Sequence, residues 1–158
     1  MLIGACGAID PKVYPESNDR VDTADIDRVT ADSILRENGI SIPRTLNYHS
    51  GIGRSYGFPG TPDSYMKFVE SNNSVGGELH ATDIGVEFGQ FETYPCDSTF
   101  IRTSLLGRLG LDCHGSPFVQ VASDGTPPRR GAERLSGTTL VVDTMDGEVR
   151  LYIAIVGH

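Results

Sequence analysis

Several stretches of the chain carry residue types that could do chemistry. Asp112-Cys113-His114 sets a carboxylate, a thiol and an imidazole side by side, and His49 or His80 could act as base to Cys96 or Cys113. These are the groups that a cysteine nucleophile needs. Neighbours on an extended chain point to opposite faces, so adjacency alone does not bring Cys113 and His114 together. Gly51-Ile52-Gly53-Arg54-Ser55-Tyr56-Gly57 offers bare backbone amides and a guanidinium, a combination suited to an anion. Tyr48, Tyr56 and Phe58 bracket that stretch and could stack on a sugar ring. Acidic groups gather at Asp22, Asp25 and Asp27, at Asp83 beside His80, and at Asp143 and Asp146. None has the spacing of a calcium loop or zinc site, so no metal is assigned.

Two stretches resemble known families. The glycine-rich run is similar to the diphosphate-binding turn of large FAD-linked oxidases. Those enzymes carry a longer cofactor domain plus a substrate domain, which 158 residues cannot hold, and no cofactor is assigned. Asp22-Thr23-Ala24, a following helix ending at Asn38-Gly39-Ile40, and the later Leu105-Leu106-Gly107-Arg108 resemble the order of elements in retropepsin-like aspartic peptidases. That resemblance implies Asp22 as the catalytic carboxylate, one from each half of a dimer. The family's Asp-Thr-Gly is here Asp-Thr-Ala, and polar Glu16 to Arg20 stands where the family has an apolar strand.

The elements that would position these groups follow from composition and pattern. Nineteen glycines and nine prolines suit short strands and many turns, and the chain has the length of one domain. The expected fold is mainly β, sandwich or barrel-like, over residues 1–158, with an extended arm over 1–20 and one short N-terminal helical segment. That helix, capped by Asp22 or Thr23, runs to Asn38-Gly39 with Ile26, Val29, Ile34 and Leu35 on its apolar side. An edge strand is predicted over Ile40 to Tyr48 and a glycine-rich loop over Ser50 to Pro62, with a helical turn or short strand at Asp63 to Val69. The alternation of Ile84, Val86 and Phe88 predicts a strand within Leu79 to Tyr94, and Phe118 to Ala122 predicts another. Thr99 to Cys113 reads as strand and then as strand or helical turn, and Thr126 to Ser136 as an exposed connection.

The strongest local signal is Thr138 to Val156. Asp146-Gly147 between two β-branched runs predicts a hairpin with a two-residue type I′ turn, central to the sheet. That turn sets Asp143 opposite Arg150 and Leu140 opposite Ile153. Leu140, Val142, Val149, Leu151, Ile153 and Ile155 then share one face. Val141, Tyr152 and Ala154 fall on the other and need a cover, from the domain or from a partner.

A net charge of −8 argues against nucleic acid, which requires a basic patch. No run reaches the length of a membrane span, and no signal peptide is read at Met1 to Cys6, so the expected location is intracellular or within a virus-like particle. Three cysteines without paired spacing predict free thiols. The function expected first is a non-enzymatic assembly protein of the capsid-associated or phage-decoration kind, a homo-oligomer whose partners are protein subunits. Tyr48, Arg54, Tyr56, Phe58, Val141 and Tyr152 are its binding or interface residues. The alternatives are the aspartic peptidase and a β-sandwich that binds a glycan or small ligand.

Overall fold

The computed structural model describes residues 22–55, 61–71, 78–125, 128, 132 and 134–157. The predicted N-terminal arm, Tyr56, Phe58 and most of the 126–136 connection lie outside them. The fold is mainly β, as expected. Its strands are β1 (Asp22–Asp25), β2 (Leu46–Ser55), β3 (Asp63–Glu70), β4 (Glu92–Pro95), β5 (Phe118–Ser123), β6 (Gly137–Met145) and β7 (Glu148–Val156). All seven join one antiparallel sheet in the order β1-β2-β3-β7-β6-β5-β4. Helices α1 (Arg28–Glu37), α2 (Ala81–Ile84) and α3 (Thr99–Arg102), with a 3₁₀ turn at Leu106–Leu109, complete the described structure.

The C-terminal hairpin has the predicted register, from Met145 opposite Glu148 to Gly137 opposite Val156. Asp146 and Gly147 both take positive φ, 54° and 78°, as a type I′ turn requires. Paired with β3 on one side and β5 on the other, the hairpin is the middle of the sheet.

Both faces of the sheet are covered, and each carries its own core. On one, Leu140, Leu151, Ile153, Met66 and Phe68 pack with Ala31 and Leu35 of α1, Ala81 and Ile84 of α2, and Phe88. On the other, Val141, Tyr152, Ala154, Tyr65 and Val121 pack under Phe100 and Ile101 of α3, Leu106 and Leu109, and Leu135. Val141 and Tyr152 have no solvent exposure, so the cover they need comes from their own chain and neither is available as an interface residue.

The segment supplying that second cover runs from Cys96 to Cys113, and the two cysteines are joined by a disulfide with Cα atoms 5.5 Å apart. This corrects the expectation of free thiols. The pairing is created by the path of α3 and the 3₁₀ turn across the sheet, which no local cysteine spacing records.

Other expectations are corrected for identifiable reasons. Residues Asp22 to Asp25 pair with β2 as a strand, and α1 is capped by Asp27, whose Oδ1 accepts from the Thr30 amide at 2.7 Å. Val29 is 79% exposed, and the buried side of α1 is Ala31 and Leu35. Its end is as predicted, with Gly39 at φ 67° after the Asn38 cap. The predicted 40–48 strand begins only at Leu46 and continues through the supposed glycine loop to Ser55, with a register shift between Tyr48 and Ser50. Gly51 is required there by proximity: a Cβ would lie 2.9 Å from the Tyr48 hydroxyl oxygen and 3.1 Å from Ile26 Cβ. Ile84 and Phe88 are buried while Val86 is 91% exposed, because the segment is a helical turn followed by a bend, not a strand. Thr99 to Cys113 forms α3 and the 3₁₀ turn, with no strand.

Candidate functional site

The structure separates the residues that the sequence grouped. Adjacent strands pair Tyr48 with Phe68 on the α1 face, and Arg54 with Asp63 on the disulfide face. Tyr48 donates its hydroxyl proton to the Ile26 carbonyl and sets its ring edge-on to Phe68 at 5.7 Å between centroids. Arg54 donates to Asp63 Oδ2 at 2.9 Å and to the Tyr65 hydroxyl at 3.1 Å, and Asp63 Oδ1 accepts from the Gly157 amide at 2.9 Å. Arg54 thus ties the ends of β2, β3 and β7 together. It also lines a cleft of about 540 Å³ with Thr103, Ser104, Arg134 and Leu135.

Neither predicted catalytic set is assembled for its chemistry. The Cys113 sulfur is bonded to Cys96, so it is not a nucleophile. His114 Nδ1 lies 2.7 Å from Asp112 Oδ1, and the His114 amide donates to the same oxygen at 2.9 Å, which holds the Asp112 carboxyl below its usual range. The two peptidase-like motifs do meet, since Arg108 Nη1 donates to Thr23 Oγ1 at 3.3 Å. Asp22, however, is exposed at the end of edge strand β1 and lines none of the clefts described here. Among the described residues no three of His, Cys, Asp or Glu come together as a metal site. Asp83, suspected with His80, instead accepts from the His80 amide at 3.3 Å at the start of α2.

The Asp143–Arg150 pair is directly opposed in register but is not an ion pair. Arg150 Nε instead donates to Glu148 at 3.3 Å. The Asp143 carboxylate is 3% exposed and neither oxygen has a hydrogen-bond partner, and the Tyr152 hydroxyl beside it is also unpartnered. Desolvation raises the Asp143 carboxyl, with Arg150 and Lys67 pulling partly back, and pushes the Tyr152 phenol up to about 12. Lys67 lies under the disulfide-closed cover and is lowered by burial first and by Arg150 second. Its Nζ is 3.3 Å from where a Cβ on Gly110 would stand. These groups form a polar island inside the core.

An extended concave surface lies on the α1 face. Gln120, Val142, Thr144 and Val149 form the floor of a cleft of about 750 Å³, walled by Glu78 to Thr82 and by Gly89, Gln90 and Phe91. A smaller cleft of about 230 Å³ continues it, sharing Glu78, Leu79 and Val149 and adding Pro43, Thr45, Leu46, Glu70 and Asp83. Glu70 is fixed there by accepting from the Val149 amide at 3.2 Å. The lining combines an aromatic edge, two amides, several hydroxyls and three carboxylates, and among the described residues no lysine or arginine lines either cleft. Such a surface repels anions and can hydrogen-bond a neutral polar ligand.

Of this lining the sequence singled out His80 and Asp83, for other chemistry, and missed the rest, because Gln90-Phe91, Gln120 and Thr144 sit on separate elements brought together by the pairing of β5 with β6 and the path after α2. The molecule is a seven-stranded antiparallel sheet with both faces covered and a groove on one of them. No known protein family matches the chain, and neither the curated proteins nor the solved structures contain a match to it.

Proposed function

We propose that the chain is a non-enzymatic binding module whose groove on the α1 face takes a small neutral polyhydroxylated ligand of the saccharide class. The observation that carries this reading is the cleft of about 750 Å³, its size typical of ligand sites, with Phe91 beside Gln90, Gln120 and Thr144. A ring face can rest on Phe91 while amides and hydroxyls pair with ligand hydroxyls. This agrees in class with the glycan-binding alternative but moves the site away from Tyr56 and Phe58, which lie outside the described residues.

The assembly reading drew its support from Val141 and Tyr152 needing a partner. The chain's own cover buries both, so they no longer argue for a subunit interface. The Cys96–Cys113 bond also favours an oxidising compartment over the intracellular location first expected.

The test is an NMR titration with a panel of neutral oligosaccharides. Shifts are expected at Phe91, Gln120 and Thr144, and Phe91→Ala should weaken binding about tenfold, the ~1.4 kcal/mol scale of one stacking aromatic. Phe118→Ala, an exposed aromatic outside the groove, serves as control. Absence of any groove shift across the panel overturns the proposal.

A further inference from the structure

Beyond Pro43 and Leu46, which end the acidic groove, the α1 face opens into another cleft of about 420 Å³. Its floor is apolar: Leu35, Leu46 and Phe68 are buried, and Tyr48 is half-buried beside them. Its rim is basic, with Arg28 and Arg36 from α1 and Arg44 from the connection to β2, against a single carboxylate, Asp32. That carboxylate reaches Arg28 only at 4.0 Å, with both side chains more than half exposed, so it neutralises little. Among the described residues, the Arg36 and Arg44 guanidiniums have no hydrogen-bond or ion-pair partner.

Three guanidiniums around one cleft are notable in a chain of net charge −8. They repel one another, and Asp32 is the one carboxylate among the described lining residues, since Glu37 at the end of α1 accepts from Ser33 and does not line the cleft. Guanidinium is also the cation whose planar fork matches an oxyanion with two parallel hydrogen bonds, and its weak hydration lets it work beside an apolar floor.

We propose that this cleft is a binding site for an organic oxyanion with an apolar body, the anionic group held by Arg36 and Arg44 with Arg28 at the rim, and the body resting on Tyr48 and Phe68. The inference stands on this cleft alone and does not depend on the saccharide reading of the neighbouring groove. It gives Tyr48 a binding role in a place different from the glycine-rich stretch that first drew attention to it. Carboxylates and phosphate monoesters share the required chemistry, and the test separates them.

The full chain is titrated, with NMR detection, against phenyl phosphate, benzoate, inorganic phosphate and phenol. Phenyl phosphate or benzoate should shift resonances of Arg36, Arg44 and Tyr48, and the stronger of the two names the oxyanion. Inorganic phosphate, lacking the body, and phenol, lacking the charge, should each bind at least tenfold more weakly. Arg36→Ser with Arg44→Ser should weaken the better ligand at least tenfold while leaving the spectrum of β6 and β7 unchanged, since both side chains are exposed. Arg36→Lys with Arg44→Lys should recover only part of the affinity, because an ammonium cannot make the paired contact. No shift at these residues, equal binding of phenol, or unchanged affinity in the serine variant overturns the proposal. Shifts at Phe91 and Gln120 alone would uphold the groove reading and overturn this one.

Discussion

Asp143 shows at the scale of one residue how a correct pairing can still mislead. Its place opposite Arg150 was legible, because a two-residue turn fixes every cross-strand partner. That Arg150 turns to Glu148 instead was not, because side-chain direction depends on what else lies on the face. The carboxyl is left buried and raised above its ordinary 3.8, so the folded chain holds this proton more tightly than the unfolded chain does. Stability should therefore be highest below about pH 4 for this group and should fall as pH rises through its elevated pKa. In Asp143→Asn that loss disappears, and the variant should gain about 1 kcal/mol on wild type between pH 4 and pH 7, measured by urea unfolding at each pH. A parallel pH dependence of the two proteins would show that the carboxylate is compensated.

Among the elements, the hairpin was readable in full, α1 in its existence and its end but not its start, and the shorter helical pieces hardly at all. Asp-Gly between β-branched runs is a local instruction, and both turn residues adopt the backbone it demands. Gly147 has open space where a Cβ would stand, so Gly147→Ala tests conformation alone. It should cost about 1–2 kcal/mol, the penalty of left-handed backbone for a residue with a side chain, measured as a lower urea midpoint with unchanged slope. Asp146→Asn should be near neutral, since Asn tolerates positive φ. By contrast, Ile84, Val86 and Phe88 alternate as a strand would, yet the spacing of Ile84 and Phe88 also fits one side of a helical turn. The exposure of Val86 between the buried Ile84 and Phe88 decides between them, since a strand would turn all three to one face. The clefts were illegible for the same reason: Phe91 and Gln120 line one cleft, and Arg36 and Arg44 another, only through tertiary placement.

The whole molecule is a set of neighbours in sequence apart from one seam. From β1 to β3 each strand pairs with the next, and from β4 to β7 likewise, so among the described residues β3 against β7 is the one strand pairing between the two halves. Covers cross the seam as well: α1 from the first half packs over Leu151 and Ile153, and the disulfide-closed segment of the second half packs over Ile52 and Tyr65. Each half thus contributes cover to strands of the other. Two separate peptides, residues 1–71 and 78–158, should each lack stable structure and, when mixed, recover the sheet as a one-to-one complex, followed by circular dichroism and size-exclusion chromatography. Failure to associate would mean that the connection between them does more than join. If they do associate, the β3–β7 seam makes this chain a natural split reporter, two silent pieces whose reunion along one line of hydrogen bonds restores both cores at once.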